Sequence, residues 1–280
     1  MSRKISSESR SPVRKFVEYR GGEGRFEYYD KELKKRVPLE LPLRFVVLDD
    51  TRLTVTGFND TAGTGIYANE VGHISAPLSV KTFKGDAIAE GPWKKISDRV
   101  EAKGGKFCKV VYGAMKVDPS EENPSGFEYV AFKFAGSSLG PWFDFQKSAD
   151  LTSGGVEILD EFEEGKKGTT KFKIPVFKSI KLSKETLDIA DRMSDPLQDY
   201  FKKYDSQKPY DGSSPDESGS DLPPVSFDGN TSKEGAGKSD TFKGFGEPSS
   251  NASEDTPDKN VVETPDGYRN KNYSDEDLPF

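Results

Sequence analysis

Apolar and polar positions alternate along much of the chain, and the alternation predicts a series of short strands. The first is Leu43-Arg44-Phe45-Val46-Val47-Leu48, followed by a turn at Asp49-Asp50 and a second run, Arg52-Leu53-Thr54-Val55-Thr56-Gly57-Phe58. Period-two spacing puts Leu53 and Val55 on one face and Arg52, Thr54, Thr56 and Phe58 on the other. The two runs read as a hairpin with an apolar inner face and a basic, hydroxylic, aromatic outer face. Residues 59–65 read as a loop and 78–84 as a third strand. Ile96 and Val100 share a face of a short helix over 96–103, which Gly104-Gly105 stops. Residues 106–117 are apolar on both faces, as a central strand requires. Residues 127–135 alternate again, with Val130, Phe132 and Phe134 one way and Phe127, Tyr129 and Lys133 the other. In 171–177 Phe172, Ile174 and Val176 point inward. A helix starts at Ser183, breaks at Ser194-Asp195-Pro196, where Asp caps a new start with Pro in the first turn, and ends near Tyr204.

Strands joined by short turns, one small helix midway and no βαβ alternation predict an all-β to α+β fold. The strand–strand–strand–helix–strand order fits an OB-fold-like β-barrel with a C-terminal helix. A body this long needs insertions, placed at 136–168 and in the glycine-interrupted aromatic region at the N-terminus. The expected organisation is a basic flexible arm over 1–15, an OB-like domain over 16–205, a disordered acidic linker over 206–274 and a tip at 275–280.

Composition separates body from tail. Residues 211–280 hold 16 Asp and Glu against 6 Lys and Arg, whereas 1–210 hold 32 against 35. The overall charge of −7 therefore belongs to the tail, and the body is mildly basic, open to a nucleic-acid partner. With 26 Gly, Pro and Ser among 70 residues, the tail cannot bury enough apolar surface to offset the entropy of ordering it. Cys108 and His73 are the single cysteine and histidine, so no intrachain disulfide or Cys/His zinc site can form, and a His-based triad would rest on His73 alone. The absent disulfide fits a reducing cytoplasm. No segment is apolar enough to predict a membrane span, and residues 1–15 lack the apolar core of a secretory signal.

Cations and rings interleave through the body. Arg44, Arg52, Phe58, Lys81, Phe83, Trp93, Lys94, Lys95, Arg99, Lys109, Tyr112, Tyr129, Lys133 and Trp142 form the candidate set for a groove that takes a single nucleic-acid strand. Such binding uses cations for phosphates and rings for base faces, each stack contributing about 1–3 kcal/mol. Strand aromatics also build cores, and a minority of these rings is expected to touch the ligand. Trp93 and Trp142 each follow a Gly-Pro pair, which leaves two readings, a base platform or a lid over the barrel end. Gly21-Gly22-Glu23-Gly24 and Gly63-Thr64-Gly65 lack the Lys-Ser/Thr of a phosphate loop, which argues against nucleotide hydrolysis. The cluster Glu157, Asp160, Glu161, Glu163 and Glu164 matches no calcium loop and reads as a solvated helix or loop face.

The chain ends Asp275-Glu276-Asp277-Leu278-Pro279-Phe280. Three carboxylates precede an apolar plug whose terminal ring and carboxylate suit a small pocket flanked by Lys and Arg. Pro279 restricts Leu278 to extended geometry and lowers the cost of ordering. This tip resembles the C-terminal partner-binding tip of bacterial single-stranded DNA-binding proteins. The resemblance covers the tip closely and the acidic, low-complexity tail in kind. It implies a non-enzymatic protein without cofactor that binds and protects single-stranded DNA, without strong sequence preference, during replication, recombination and repair. It further implies that Asp275 to Phe280 recruit replication, recombination or repair proteins. The body lacks the opening strand typical of that family and is longer, which points to a divergent member of the class, phage-encoded and working in host cytoplasm, or cellular. A homo-oligomer is compatible with this reading. The alternative is a replication or recombination accessory adaptor whose body binds protein.

Overall fold

The computed structural model describes residues 11–121 and 123–206. Strands β1 (Lys15–Arg20), β2 (Arg25–Asp30) and β3 (Lys35–Pro38) form an antiparallel meander. Long strand β4 (Leu43–Asn59) is followed by β5 (Thr64–Ala68), β6 (Leu78–Thr82), β7 (Ala87–Gly91) and helix α1 (Trp93–Glu101). Then come β8 (Gly105–Lys116), β9 (Phe127–Ala135), α2 (Leu139–Ser148), β10 (Gly154–Lys167), β11 (Thr170–Lys181) and α3 (Lys184–Ser206). The class is β-rich α+β. The strands pair in the order β3-β2-β1-β9-β8-β4-β5-β6-β7, with the β10–β11 hairpin branching from β4. All pairs are antiparallel except β1 with β9. The sheet is open. The Lys173 amide of β11 donates to the Gly21 carbonyl of the β1–β2 turn at 2.7 Å, across the gap between the meander and the hairpin.

Strand β8 is buried on both faces, as its double-sided apolar sequence requires. Its inner face joins an aromatic core in which Phe45 meets Phe132 at 4.3 Å between centroids and Phe134 stacks on Trp142 at 4.6 Å. Its outer face, with Cys108, Val110 and Tyr112, packs under Leu197 and Phe201 of α3. Burial raises the Cys108 thiol to about 12, so it is a packing group. Helix α1 buries Trp93, Ile96 and Val100, one face at helical spacing, beside β7 and β8.

Several elements differ from the sequence expectation. The hairpin at Asp49-Asp50 is instead one continuous strand. Two bulges, between Val47 and Asp49 and between Asp49 and Arg52, let β4 bend while it stays paired with β8. The Thr51 amide and hydroxyl both donate to Asp49 Oδ1 at 2.9 Å, a local bond that mimics a turn signal. The loop expected at 59–65 is a tight turn at 60–63 with its ends in β4 and β5, and 136–168, expected as an insertion, contains α2 and β10. The acidic residues from Glu157 to Glu164 lie on strand β10, not on a helix or loop. Glu157 is buried and accepts Arg44 Nε at 2.6 Å.

Helix α3 does not break at Pro196. Ala190 lies buried before the proline and Leu197 and Phe201 after it, while the Tyr129 hydroxyl donates to the Met193 carbonyl at 3.0 Å. Two residues expected in the flexible arm are part of the fold: Val13 is buried, and Lys15 begins β1 and pairs with Glu128. Residues 1–10 and everything from 207 onward, including the linker and tip, lie outside the described residues.

The meander carries a buried charge network. Glu27, 1% exposed, accepts Arg20, Arg25 and Arg36 at 2.6, 3.0 and 3.2 Å. Burial works against the Glu27 carboxylate, but the Arg20 hydrogen bond and the three guanidinium charges hold its pKa below the ordinary value. A carboxyl with a depressed folded pKa adds stability above its unfolded pKa, about 4.3, and that stability is lost as pH falls through the folded value. Glu27→Gln should therefore lower stability at neutral pH by about 1.5–3 kcal/mol. In urea unfolding, the gap between variant and parent should hold down to about pH 5 and shrink at lower pH.

Candidate nucleic-acid interface

The open half of β4, with β5 and β6, presents cations and rings on its outer face. Register aligns Lys106 of β8, Thr56 of β4, Tyr67 of β5 and Lys81 of β6 in one row across the strands. Inter-strand spacing puts Lys106 and Lys81 about 14 Å apart at the backbone. In the next row Phe58 pairs with Gly65, and the Phe83 amide donates to the Gly65 carbonyl at 3.0 Å. Their inward neighbours, Val55, Ile66, Ala68 and Val80, are buried, so the pleat turns this row outward.

The Phe83 ring is stacked on Tyr67, with centroids 5.1 Å apart and planes at 17°. Phe83 is 38% exposed, and it and Leu33 are the exposed large hydrophobic side chains among the described residues. The turn after α1 brings Lys103 and Lys106 to the rim. Gly104 sits there at φ +87°, where a Cβ would fall 2.1 Å from the Phe58 carbonyl oxygen. On the opposite rim Lys84 Nζ donates to the Ala62 carbonyl at 2.6 Å. The face combines ring surfaces with flanking ammonium groups, which is the chemistry that holds bases and phosphates of a single strand.

Only part of the sequence-derived set meets here. Phe58, Lys81 and Phe83 share the platform. Lys94, Lys95 and Arg99 are exposed on α1, with Arg99 Nη2 donating to the Ile88 carbonyl at 3.1 Å. Arg44 lies at the other end of β4, paired with Glu157.

Arg52, Tyr112, Tyr129 and Lys133 sit elsewhere on the outer face, mostly in contact with α3. Arg52, 2% exposed, makes two bonds to Asp205, at 2.8 and 2.7 Å, and lies 4.7 Å from the Phe201 ring centroid. The Tyr112 hydroxyl donates to Glu70 at 2.6 Å, and burial, followed by the Glu70 charge, pushes its pKa well up. Burial likewise raises the Glu70 carboxyl, against the pull of Tyr112, Lys133 and Arg52. Lys133 lies over Phe16 at 5.4 Å.

Three candidates are turned inward. Lys109 is 1% exposed, and burial lowers its pKa while Asp50 and Asp49 oppose the shift. Trp93 packs against Phe107 at 5.3 Å, and Trp142 is fully buried in the aromatic core. Of the two readings of the tryptophans, the base platform is not available in this fold. The Gly-Pro pairs open helices whose first turns point the rings at the sheet.

Sequence reasoning missed Tyr67 and Lys106 as platform residues. Tyr67 was legible in the alternation Ile66-Tyr67-Ala68, which a three-residue window makes easy to pass over. His73 lies in a turn, its Nδ1 2.7 Å from Ser75 Oγ. The glycine segments at 21–24 and 63–65 lead into strands, not helices. Among the described residues no His, Cys, Asp and Glu cluster of metal-binding kind occurs. Nor is any helix there long and apolar enough to cross a membrane. Comparison with known protein families, curated proteins and solved structures returned no match.

Both tryptophans are buried, which makes their emission a test of the fold. The emission maximum should be blue-shifted, iodide should quench it weakly, and oligo-dT should change it little, as a fluorescence titration would measure. Strong iodide quenching would place a tryptophan at the surface and overturn this arrangement.

Proposed function

We propose that the protein binds single-stranded DNA across the outer face of β4, β5 and β6 and recruits partner proteins through Asp275 to Phe280. The observation that carries the DNA reading is the exposed Phe83–Tyr67 stack flanked by Phe58 and by Lys81 and Lys106. The mildly basic body and strongly acidic tail agree with it, and the tip supports the recruiting role by its resemblance to bacterial single-stranded DNA-binding proteins. Non-enzymatic coating during replication, recombination or repair follows as the activity.

The order β4, β8, β9, α2, β10, β11 suits an OB-like barrel, with the bulged β4 shared by β8 and β10. In that reading β1 and β2 are inserted beside β9, and the platform belongs to the connection between the first two barrel strands. Such connections carry oligonucleotide contacts in OB-folds.

Titration with oligo-dT at rising salt tests the platform. Affinity should fall steeply with salt, and Lys81→Ala and Lys106→Ala should each reduce the slope by about 0.7. Phe83→Ala should weaken binding about tenfold while the slope stays as it was. Absence of binding at low salt would favour the alternative, an adaptor whose body binds protein.

Deleting 275–280 separates the two roles. The truncated chain should keep or slightly raise its DNA affinity and lose capture of replication or repair partners in a pull-down. Loss of DNA binding would overturn this division of labour between body and tip.

A further inference from the structure

The Phe83 ring owes its place to an absence. Gly65 lies directly beneath it, and a Cβ at Gly65 would fall 2.3 Å from Phe83 Cε2 and 2.4 Å from Cδ2. The Gly65 backbone is not in the left-handed region, so its torsions would accept alanine. The obstacle to a side chain is the ring alone. With Gly65 bare, the Cδ2–Cε2 edge of Phe83 rests on β5, to which its own amide is hydrogen-bonded, and the ring stands stacked on Tyr67. One face of Phe83 is then taken by Tyr67 and one edge by the strand, while the ring as a whole stays 38% exposed.

We propose that Gly65 is the positioning residue of the platform. By leaving room for the edge of Phe83, it holds the ring upright against Tyr67 and presents the face away from the tyrosine, on which one nucleobase stacks. This rests on the DNA-binding reading of the same face. A methyl group at 65 lifts or rotates the ring and breaks its stack on Tyr67 without removing a single ligand-contacting group. Rings that cover strand glycines also stabilise sheets by shielding the backbone, as Phe172 does over Gly165 on the β10–β11 hairpin. The test must therefore separate a structural cover from a base platform.

The measurement is oligo-dT affinity across a salt series for full-length Gly65→Ala, Phe83→Ala, Phe83→Leu and the double variant Gly65→Ala/Phe83→Ala, each checked by thermal melting. Gly65→Ala should lose about threefold or more in affinity, short of the roughly tenfold loss of Phe83→Ala, with the salt slope unchanged because no phosphate contact is touched. In the double variant, where the ring is gone, the Gly65 substitution should add nothing further. Phe83→Leu, which still covers the glycine, should melt near the parent and bind as weakly as Phe83→Ala.

Parent-like affinity of Gly65→Ala would overturn the proposal, as would a further loss in the double variant, which would mean that Gly65 acts through the strand. Full affinity in Phe83→Leu would reduce the ring to a cover and overturn it as well. If Gly65→Ala does not fold, the double and leucine variants still decide. Unchanged binding by Phe83→Ala is a different failure, since it removes the platform from the DNA-binding reading altogether.

Discussion

The sheet branches at strand β4, and the rest of the molecule is arranged around that branch. One edge pairs with β8 from Phe45 to Gly57. The other edge pairs first with β10, through Leu43 to Phe45, and then with β5, through Thr56 to Asn59. A straight strand would present one plane to both partners. The two bulges around Asp49 bend and twist β4, so that its halves face different neighbours while the β8 ladder continues. The inner face accordingly spans two parts of one continuous core. One is the aromatic group of Phe45, Phe132, Phe134 and Trp142, and the other is the aliphatic group that α1 covers with Ile96 and Val100.

The outer face of β4 is divided in the same way. Near the bend it is roofed by the last turns of α3, where Arg52 is held between Asp205 and the rings of Phe201 and Tyr204. Beyond the bend, from Thr56 onward, the same face lies open beside Tyr67, Lys81 and Phe83. A buried guanidinium needs its carboxylate and gains from a ring face, whereas the Phe83 ring stays partly in solvent. One strand thus contributes a structural cation and, a few residues later, part of a candidate binding surface.

Much of the fold was legible. The bounds of β9 and the double-sided burial of β8 follow from alternation and from its loss, because pleat and burial act on every residue in turn. Asp49-Asp50-Thr51 carries turn chemistry whether the chain reverses or bulges, so the local sequence predicts a hairpin where β4 bends. Local propensity favours a break at Pro196, but packing on both sides of the proline outweighs it. The candidate site was legible only in part, since Phe58, Lys81 and Phe83 come from three strands whose register no local pattern states.

By itself the sequence determined the split between a basic body and an acidic tail, the β-rich class, the apolar inner rows and the chemistry of the terminal tip. These depend on composition, on period-two spacing and on covalent order, which need no partner residue. Only the tertiary structure decided which rings and cations are exposed. Trp142 and Phe83 are both large rings near turns, yet one is fully buried and the other stands over Gly65 in solvent. That difference arises because burial is set by what α2, α3 and the neighbouring strands bring against a side chain from distant parts of the chain.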